Sequence, residues 1–362
     1  MKILHVITSL RTGGAEHLLV DLLPRLQEYG HDVSILLFDG TRTPFYEQLE
    51  KVGVKIHVLG KNAQSMHNPL LVFKLRKYLK QYDIIHTHNT PCQLLVAVAS
   101  LTYKAILITT EHSTTNRRRL WKWYKNVDYW MYSRYKRIIC VSKDAKNNLV
   151  QSLPKKNLIA RIDIICNGIS IEKFEEAKSE PSLRTQFVDN KLIGMVAAFR
   201  PEKDQKTVIK AMLHLPDDYH LLLVGDGICR AECESLAKSL GITGRVHFLG
   251  VRTDVPALLK TVDVLVLSSN YEGLSLSSIE GMASGKPFIA SDVDGLHDLV
   301  NNAGLLFSRG DSVALAQLVR QVCEDKMLYQ RIAEQCRQKA IQYDISQTAK
   351  EYARVYEEVG KE

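Results

Sequence analysis

Short apolar runs rich in Val, Ile and Leu recur along the chain, separated by longer stretches whose apolar positions follow a helical period. In the first half the runs are KILHVIT, DVSILLF, VKIHVL, DIIHTH, AILITTE, RIICVS and RIDIICN, and segments such as AEHLLVDLLPRLQEYG separate most of them. The series restarts with KLIGMVAA, HLLLVGD, RVHFLG, VDVLVLSS and KPFIASD. Continuous apolar strands joined by helical crossovers predict parallel sheets covered on both faces. Charged, strand-poor SIEKFEEAKSEPSLRTQFVDN at 170–190 lies between the two series. The pattern therefore predicts an α/β protein of two doubly wound domains, 1–180 and 181–344, facing each other across a cleft. The end of the chain, from DKMLYQ onward, reads as two helices without a strand, the last over about 345–362. Ligands of open α/β sheets bind beyond the carboxyl ends of the strands, so function is expected in the post-strand loops.

Composition sharpens this picture in three ways. A chain of 362 residues, 45% hydrophobic and 24% charged, has ordinary globular composition and length for two cores. No apolar run reaches the ~18–20 residues of a membrane span, and MKILHVITSL is short and runs into a glycine turn, a first strand and not a signal peptide. The seven cysteines are scattered without a CxxC pair, which fits reduced thiols in a cytoplasmic protein. Charge is uneven. Residues 1–180 hold 27 Lys and Arg against 16 Asp and Glu, a net +11, whereas the remainder nets −3. A basic half beside a mildly acidic one suggests an anionic partner: nucleic acid, a phosphorylated lipid or an anionic bilayer.

The loops carry the candidate chemistry. Gly13 and Gly14 open a helix after the first strand, where a backbone can approach a ligand and free N–H groups face an anion; a plain turn is the other reading. The dinucleotide pattern G-x-G-x-x-G is missing. His86 and His88 end the fourth strand on one face, with no third metal ligand evident at good spacing, and ordinary strand-end histidines are the alternative. His112 follows the fifth strand and is better placed to donate to a ligand oxygen. In AAFRPEKDQK, Arg200 and Lys203 fall in a turn before a helix, placed to stabilise a departing diphosphate or simply solvated. Gly225-Asp226-Gly227 ends another strand. Arg252 sits in a loop with Asp254 as the expected cap of the next helix.

YEGLSLSSIEGMASGKP, 271–287, is the most informative stretch. Glu272 is expected on a loop lip and Glu280 on a helix starting near Leu276. Gly273, Ser275, Ser277 and Ser278 leave that helix start open to phosphate. Desolvated carboxylates need partners. Two of them here suit the hydroxyl pairs of a ribose and a sugar, so the glutamates are expected to be satisfied by ligand hydroxyls and not by protein cations. In isolation, a capping Glu and a partly solvated helix Glu would explain the same residues.

At these residues the chain resembles the family 4 glycosyltransferases of the two-Rossmann-domain GT-B fold, over nearly its full length. The most specific element is E-x7-E, Glu272–Glu280. Gly13-Gly14, His112, CVS at 140–142, CNGI at 166–169, Lys203, VGDG and SDVDGLHDLV support it. The resemblance implies that Glu272 contacts the donor sugar and Glu280 the ribose, that the glycine turn and the Arg/Lys pair bind the diphosphate, and that His112 helps position the sugar. Gly225, Arg252, Gly273, Ser275, Leu276 and Ser277 would complete the donor pocket. It implies retaining transfer from a UDP- or GDP-sugar to a glycan or polyprenyl-linked acceptor, in polysaccharide or glycolipid synthesis, with no metal or other cofactor and no nucleic acid. It also implies a final helix that crosses back onto the first domain. Ala198 stands where the family usually has Arg, two residues before Arg200. Asp292-Val293-Asp294 mimics a D-x-D metal motif but reads as a helix-entry loop.

All three tryptophans, Trp121, Trp123 and Trp130, lie among Arg117, Arg118, Arg119, Lys122 and Lys125. Trp interleaved with Lys and Arg over 117–137 suits an anionic membrane surface, hence a peripheral location at the inner face of the cell membrane; aromatics packed on their own domain are the alternative. Two other functions compete: a catalytically silent nucleotide-sugar-binding subunit, and a nucleotide-sugar epimerase of the same fold.

Overall fold

A computed structural model of the chain describes residues 1–11, 13–60, 68, 70–103, 105–112, 121 and 124–361. The chain forms two compact units, Met1–Gly168 with Ile345–Glu362, and Ile169–Asp344. The junction falls at Gly168, within CNGI, so residues 169–180 belong to the second unit and not to the first as the strand-poor stretch suggested. That stretch holds two short helices, Ile171–Glu176 and Pro181–Gln186, which a search for strands passes over.

The first unit is built on seven parallel strands: β1 (Lys2–Ile7), β2 (Asp32–Leu37), β3 (Lys55–Val58), β4 (Ile84–Thr87), β5 (Ile106–Glu111), β6 (Arg137–Cys140) and β7 (Ile162–Ile164). Their spatial order is 3-2-1-4-5-6-7. Each is an apolar run identified in the sequence. The β1 side chains from Ile3 to Ile7 are wholly buried, as strands covered on both faces must be. The order reverses between β1 and β4, with His5 level with His86.

The second unit has six parallel strands: β8 (Lys191–Val196), β9 (Tyr219–Val224), β10 (Val246–Gly250), β11 (Val264–Leu267), β12 (Phe288–Ser291) and β13 (Leu305–Phe307). Their order is 10-9-8-11-12-13, with the reversal between β8 and β11. β13 is the one strand the sequence pattern did not single out.

The closing helix, Ile345–Lys361, packs on the first unit against the helix Gly14–Glu28, as the resemblance implied. Ile345, Thr348, Ala349, Tyr352, Ala353, Val355, Tyr356 and Val359 form its buried stripe, the three-and-four spacing of an amphipathic helix. Ala349→Asp puts an unpaired carboxylate into a wholly buried position and is expected to lower stability by about 3–5 kcal/mol in urea unfolding, whereas exposed Lys350→Ala stays within about 0.5 kcal/mol.

Candidate active site

Two loops meet where the strand order of the second unit reverses. The one after β8 runs through Ala198, Arg200 and Lys203; the one after β11 runs through Ser269, Asn270 and Glu272. Hydrogen bonds to main-chain carbonyls join them. Asn270 donates its N–H to the carbonyl of Glu202 at 2.7 Å and its side-chain amide to that of Pro201 at 3.0 Å. Ser268 Oγ donates to the carbonyl of Asp204 at 2.8 Å. Asp204 itself is left-handed, with φ 44° and ψ 49°, a conformation that costs a non-glycine residue about 1 kcal/mol or more and that turns the chain into the helix Gln205–Ala211.

This zipper brings Lys203 to Glu272, and their side chains form an ion pair, 19% and 11% exposed. Ser269 Oγ adds a second bond to the same carboxylate oxygen at 2.9 Å. Here the structure corrects the sequence reading: Glu272 is satisfied by a protein cation and a hydroxyl, not left for ligand hydroxyls alone. A carboxylate this far from water takes the nearest cation, and the crossing of two loops supplies one sixty-nine positions away. Arg200 is not part of the cluster. It is 64% exposed, and its ion pair among the described residues is with Glu202, at 3.9 Å.

The helix Leu276–Ala283 starts where the sequence placed it, with Ser275 at its cap position. The side chain of Ser275 caps none of its leading N–H groups; Ser275 and Ser277 hydroxyls bond each other at 3.0 Å. Leu276, Ser278 and Glu280 are buried along it, Glu280 at 4% exposure. Gly273 is held from behind: a Cβ on Gly295 would come within 2.5 Å of the carbonyl oxygens of Glu272 and Gly273, so the helix Asp294–Val300 backs directly onto the glutamate loop. Asp292 accepts a bond from His297 Nδ1 at 2.7 Å, which agrees with a helix-entry loop.

Gly225 and Gly227 are clasps. Their φ angles are 131° and 154°, and a Cβ on either would run into a backbone carbonyl of the β8 exit, that of Ala197 or Phe199. Gly225 N–H donates to Gly250 at 2.7 Å and Phe199 N–H to Asp226 at 3.0 Å. Arg252 carries two carboxylates, Asp254 at 2.5 Å and Glu180 at 3.0 Å, and bonding to Asp254 raises its pKa further. Asp254 occupies the helix cap position, but its carboxylate turns to Arg252 and caps nothing, contrary to the sequence expectation.

The first unit has its own cluster where its strand order reverses. Gly13, extended, caps the helix Gly14–Glu28, and the Glu16 carboxyl folds back against it; burial raises the Glu16 pKa. His112, at the exit of β5, shares a 3.0 Å hydrogen bond with His88, which shares one of 2.8 Å with His5. His86 stacks on His88 with ring centroids 4.5 Å apart. The sequence found no third partner for His86 and His88; the β1–β4 pairing supplies His5. Glu111 is structural, accepting bonds from Gln93 and Tyr132, each at 2.6 Å. Ser142 of CVS caps the helix Lys143–Ser152.

Arg117, Arg118, Arg119, Lys122 and Trp123 lie outside the described residues. Of their neighbours, Trp121 is 56% exposed, whereas Trp130 packs half-buried on the core of its own unit. None of the seven cysteines forms a disulfide, and no helix among the described residues is long and apolar enough to cross a membrane.

Residues 180–339 match the family described as Glycosyl transferases group 1, and residues 12–173 match Glycosyltransferase Family 4. The chain belongs to this group of GT-B glycosyltransferases. It is 28% identical over 99% of both chains to a Campylobacter jejuni GalNAc-alpha-(1->4)-GalNAc-alpha-(1->3)-diNAcBac-PP-undecaprenol alpha-1,4-N-acetyl-D-galactosaminyltransferase. It is 27% identical to the UDP-Gal:alpha-D-GlcNAc-diphosphoundecaprenol alpha-1,3-galactosyltransferase of Escherichia coli, over 77% of this chain and 75% of that one. Among solved structures, Anabaena HepE in complex with UDP-glucose superposes with a TM-score of 0.86 at 25% identity, over 99% of this chain and 100% of that one.

Burial lowers the pKa of His5 from 6.5 to about 3, and the histidine enters the fold neutral. Between those values the unfolded chain binds a proton that the native state refuses. The contribution is therefore whole above pH 6.5 and is lost as pH falls, by about 1 kcal/mol per pH unit. The urea midpoint is expected to drop from pH 7 to 5.5, before most carboxylates titrate; an unchanged midpoint contradicts a neutral buried His5.

Proposed function

We propose that this glycosyltransferase moves a sugar, with retention of anomeric configuration, from a UDP-sugar to a polyprenyl-diphosphate-linked glycan, in cell-surface polysaccharide or glycolipid synthesis. The observation that carries the site assignment is the Lys203–Glu272 pair at the strand-order reversal of the second unit, beside the uncapped helix start at Ser275. The named relatives that act on undecaprenol-linked substrates support the acceptor class, and the UDP-glucose complex supports the donor.

Breaking a glycosyl–phosphate bond builds charge on the departing diphosphate. Lys203 and the helix N–H groups stabilise that charge more than the ground state, which is what lowers a barrier. The diphosphate competes with Glu272 for Lys203 and frees the carboxylate to accept hydroxyls of the sugar. Glu280 accepts from the ribose diol. The family resemblance gives His112 the positioning of the sugar and the Gly13-Gly14 turn a phosphate. Gly225, Gly273, Ser275, Leu276 and Ser277 shape the pocket. Arg252 holds the β10 exit, and Arg200 serves at most at the rim. The leaving phosphate deprotonates the acceptor on the same face of the sugar. Protein cations take the place of a divalent metal. The enzyme works in the cytoplasm, at the membrane face that carries its acceptor.

The reaction of UDP-sugars with an undecaprenyl-diphosphate glycan tests this. Transfer should give the donor's anomeric configuration by NMR and persist in chelator. Lys203→Ala and Glu272→Ala are each expected to lower kcat by about 10²–10³-fold. Wild-type rates in both variants rule out the site, and activity that needs added manganese rules out the cationic route. Salt-sensitive flotation with anionic liposomes is expected; its absence removes the membrane arm.

A further inference from the structure

One continuous line of hydrogen bonds runs through the core of the first unit from the closing helix to His112. Tyr352 OH meets Thr110 Oγ1 at 3.0 Å, and Thr110 Oγ1 meets His86 Nε2 at 2.8 Å. His86 Nδ1 meets Tyr356 OH at 2.7 Å, and Tyr356 OH meets His5 Nε2 at 3.4 Å. His5 Nδ1 meets His88 Nε2 at 2.8 Å, and His88 Nδ1 meets His112 Nε2 at 3.0 Å. Tyr352, Tyr356, Thr110, His5 and His86 have no exposed surface, and His88 has almost none. Desolvation lowers the pKa of every imidazole in the line, to about 3 in His5, to about 4 in His112 and well below the ordinary value in His86 and His88. All four rings are therefore neutral near pH 7.

Neutral rings and hydroxyls each bring one proton to the line. Every link needs one proton, and a link with two is a clash. Reversing any single member empties one link or doubles another, so only two arrangements satisfy the whole line: all donating towards His112, or all away from it. If they point away, the Tyr352 hydroxyl proton is left over in a fully buried place with no second partner among the described residues. If they point towards His112, the leftover proton sits on its Nδ1, an atom that is itself buried and without a partner among the described residues, but in a partly exposed residue at a strand exit. An unmet donor is costly in either place, and only at the strand exit can a ligand oxygen come to meet it.

We propose that Tyr356, His86, His5 and His88 are positioning residues that hold His112 as the neutral Nδ1–H tautomer, a fixed donor for a ligand oxygen at the β5 exit. This rests on the role given to His112 above. A metal held by His5, His86 and His88 is the rival reading. It would need ligand nitrogens about 3.3 Å apart around a tetrahedral ion with bonds of about 2.0–2.1 Å. His5 and His88 stand closer than that, and both nitrogens of His86 are already engaged.

Long-range ¹H–¹⁵N correlation spectra of the full chain, labelled at histidine nitrogens and assigned with His112→Gln, read the tautomer directly. At pH 7 without substrate, His112 is expected to carry its proton on Nδ1, against the preference of free imidazole. Tyr356→Phe cuts the line between His86 and His5 and should shift His112 towards a mixture with Nε2–H. A wild-type His112 protonated on Nε2, doubly protonated, or unmoved by Tyr356→Phe in a folded variant overturns the proposal. So does a stoichiometric metal ion in the purified protein that displaces the His5, His86 and His88 signals. Because these spectra need no turnover, loss of the transferase reading and loss of the tautomer reading are told apart.

Discussion

The joining of the β8 and β11 exit loops by hydrogen bonds to main-chain carbonyls is the constraint on which the candidate site depends. Lys203 ends a single 3₁₀ turn, Pro201–Lys203, and Glu272 lies in no regular element, so neither is aimed by a long helix or a strand. Asn270 and Ser268, bonded to the carbonyls of Glu202, Pro201 and Asp204, hold the two loops at fixed spacing, and the left-handed Asp204 sets the turn just beyond the lysine. Gly295 lets a neighbouring helix press on the loop from behind, and Gly225 and Gly227 let the β9 exit press on the β8 exit. Rigid backbone on several sides is what lets two opposite charges be buried together without drifting apart.

That pairing also explains how a ligand-binding carboxylate is kept in a partly desolvated place. Glu272 has a cation and a hydroxyl for partners, so the fold does not bear an orphan charge. The same arrangement makes a diphosphate an exchange partner: it offers Lys203 a second anion while its sugar offers Glu272 replacement donors. Recognition then trades one set of charge-assisted bonds for another instead of creating them from nothing.

The fold was legible where the signal is local. Twelve of the strands fall in apolar runs visible by eye, and the closing helix shows its stripe plainly; β13 falls in none of them. The start of the helix at Leu276 followed from small residues giving way to an apolar period. What could not be read is what depends on strands far apart in sequence becoming neighbours. The Lys203–Glu272 pair needs β8 beside β11. The third histidine of the first unit needs β1 beside β4, and nothing in KILHVI marks His5 as facing His86. Arg252 and Asp254 are two residues apart, yet their bond went unforeseen because a cap competes for the same carboxylate and the sequence does not say which attraction wins.

The closing helix has a consequence for biogenesis. The second unit is one uninterrupted stretch, Ile169–Asp344, and has its whole core as soon as that stretch has left the ribosome. The first unit, although translated first, lacks Tyr352 and Tyr356 until the last turns of the chain emerge. It must wait, with its His5 and His86 face uncovered, while its younger neighbour folds. Nascent chains therefore leave the apolar face that the closing helix covers open until Ile345–Lys361 has been made, a long exposure of the kind that favours aggregation.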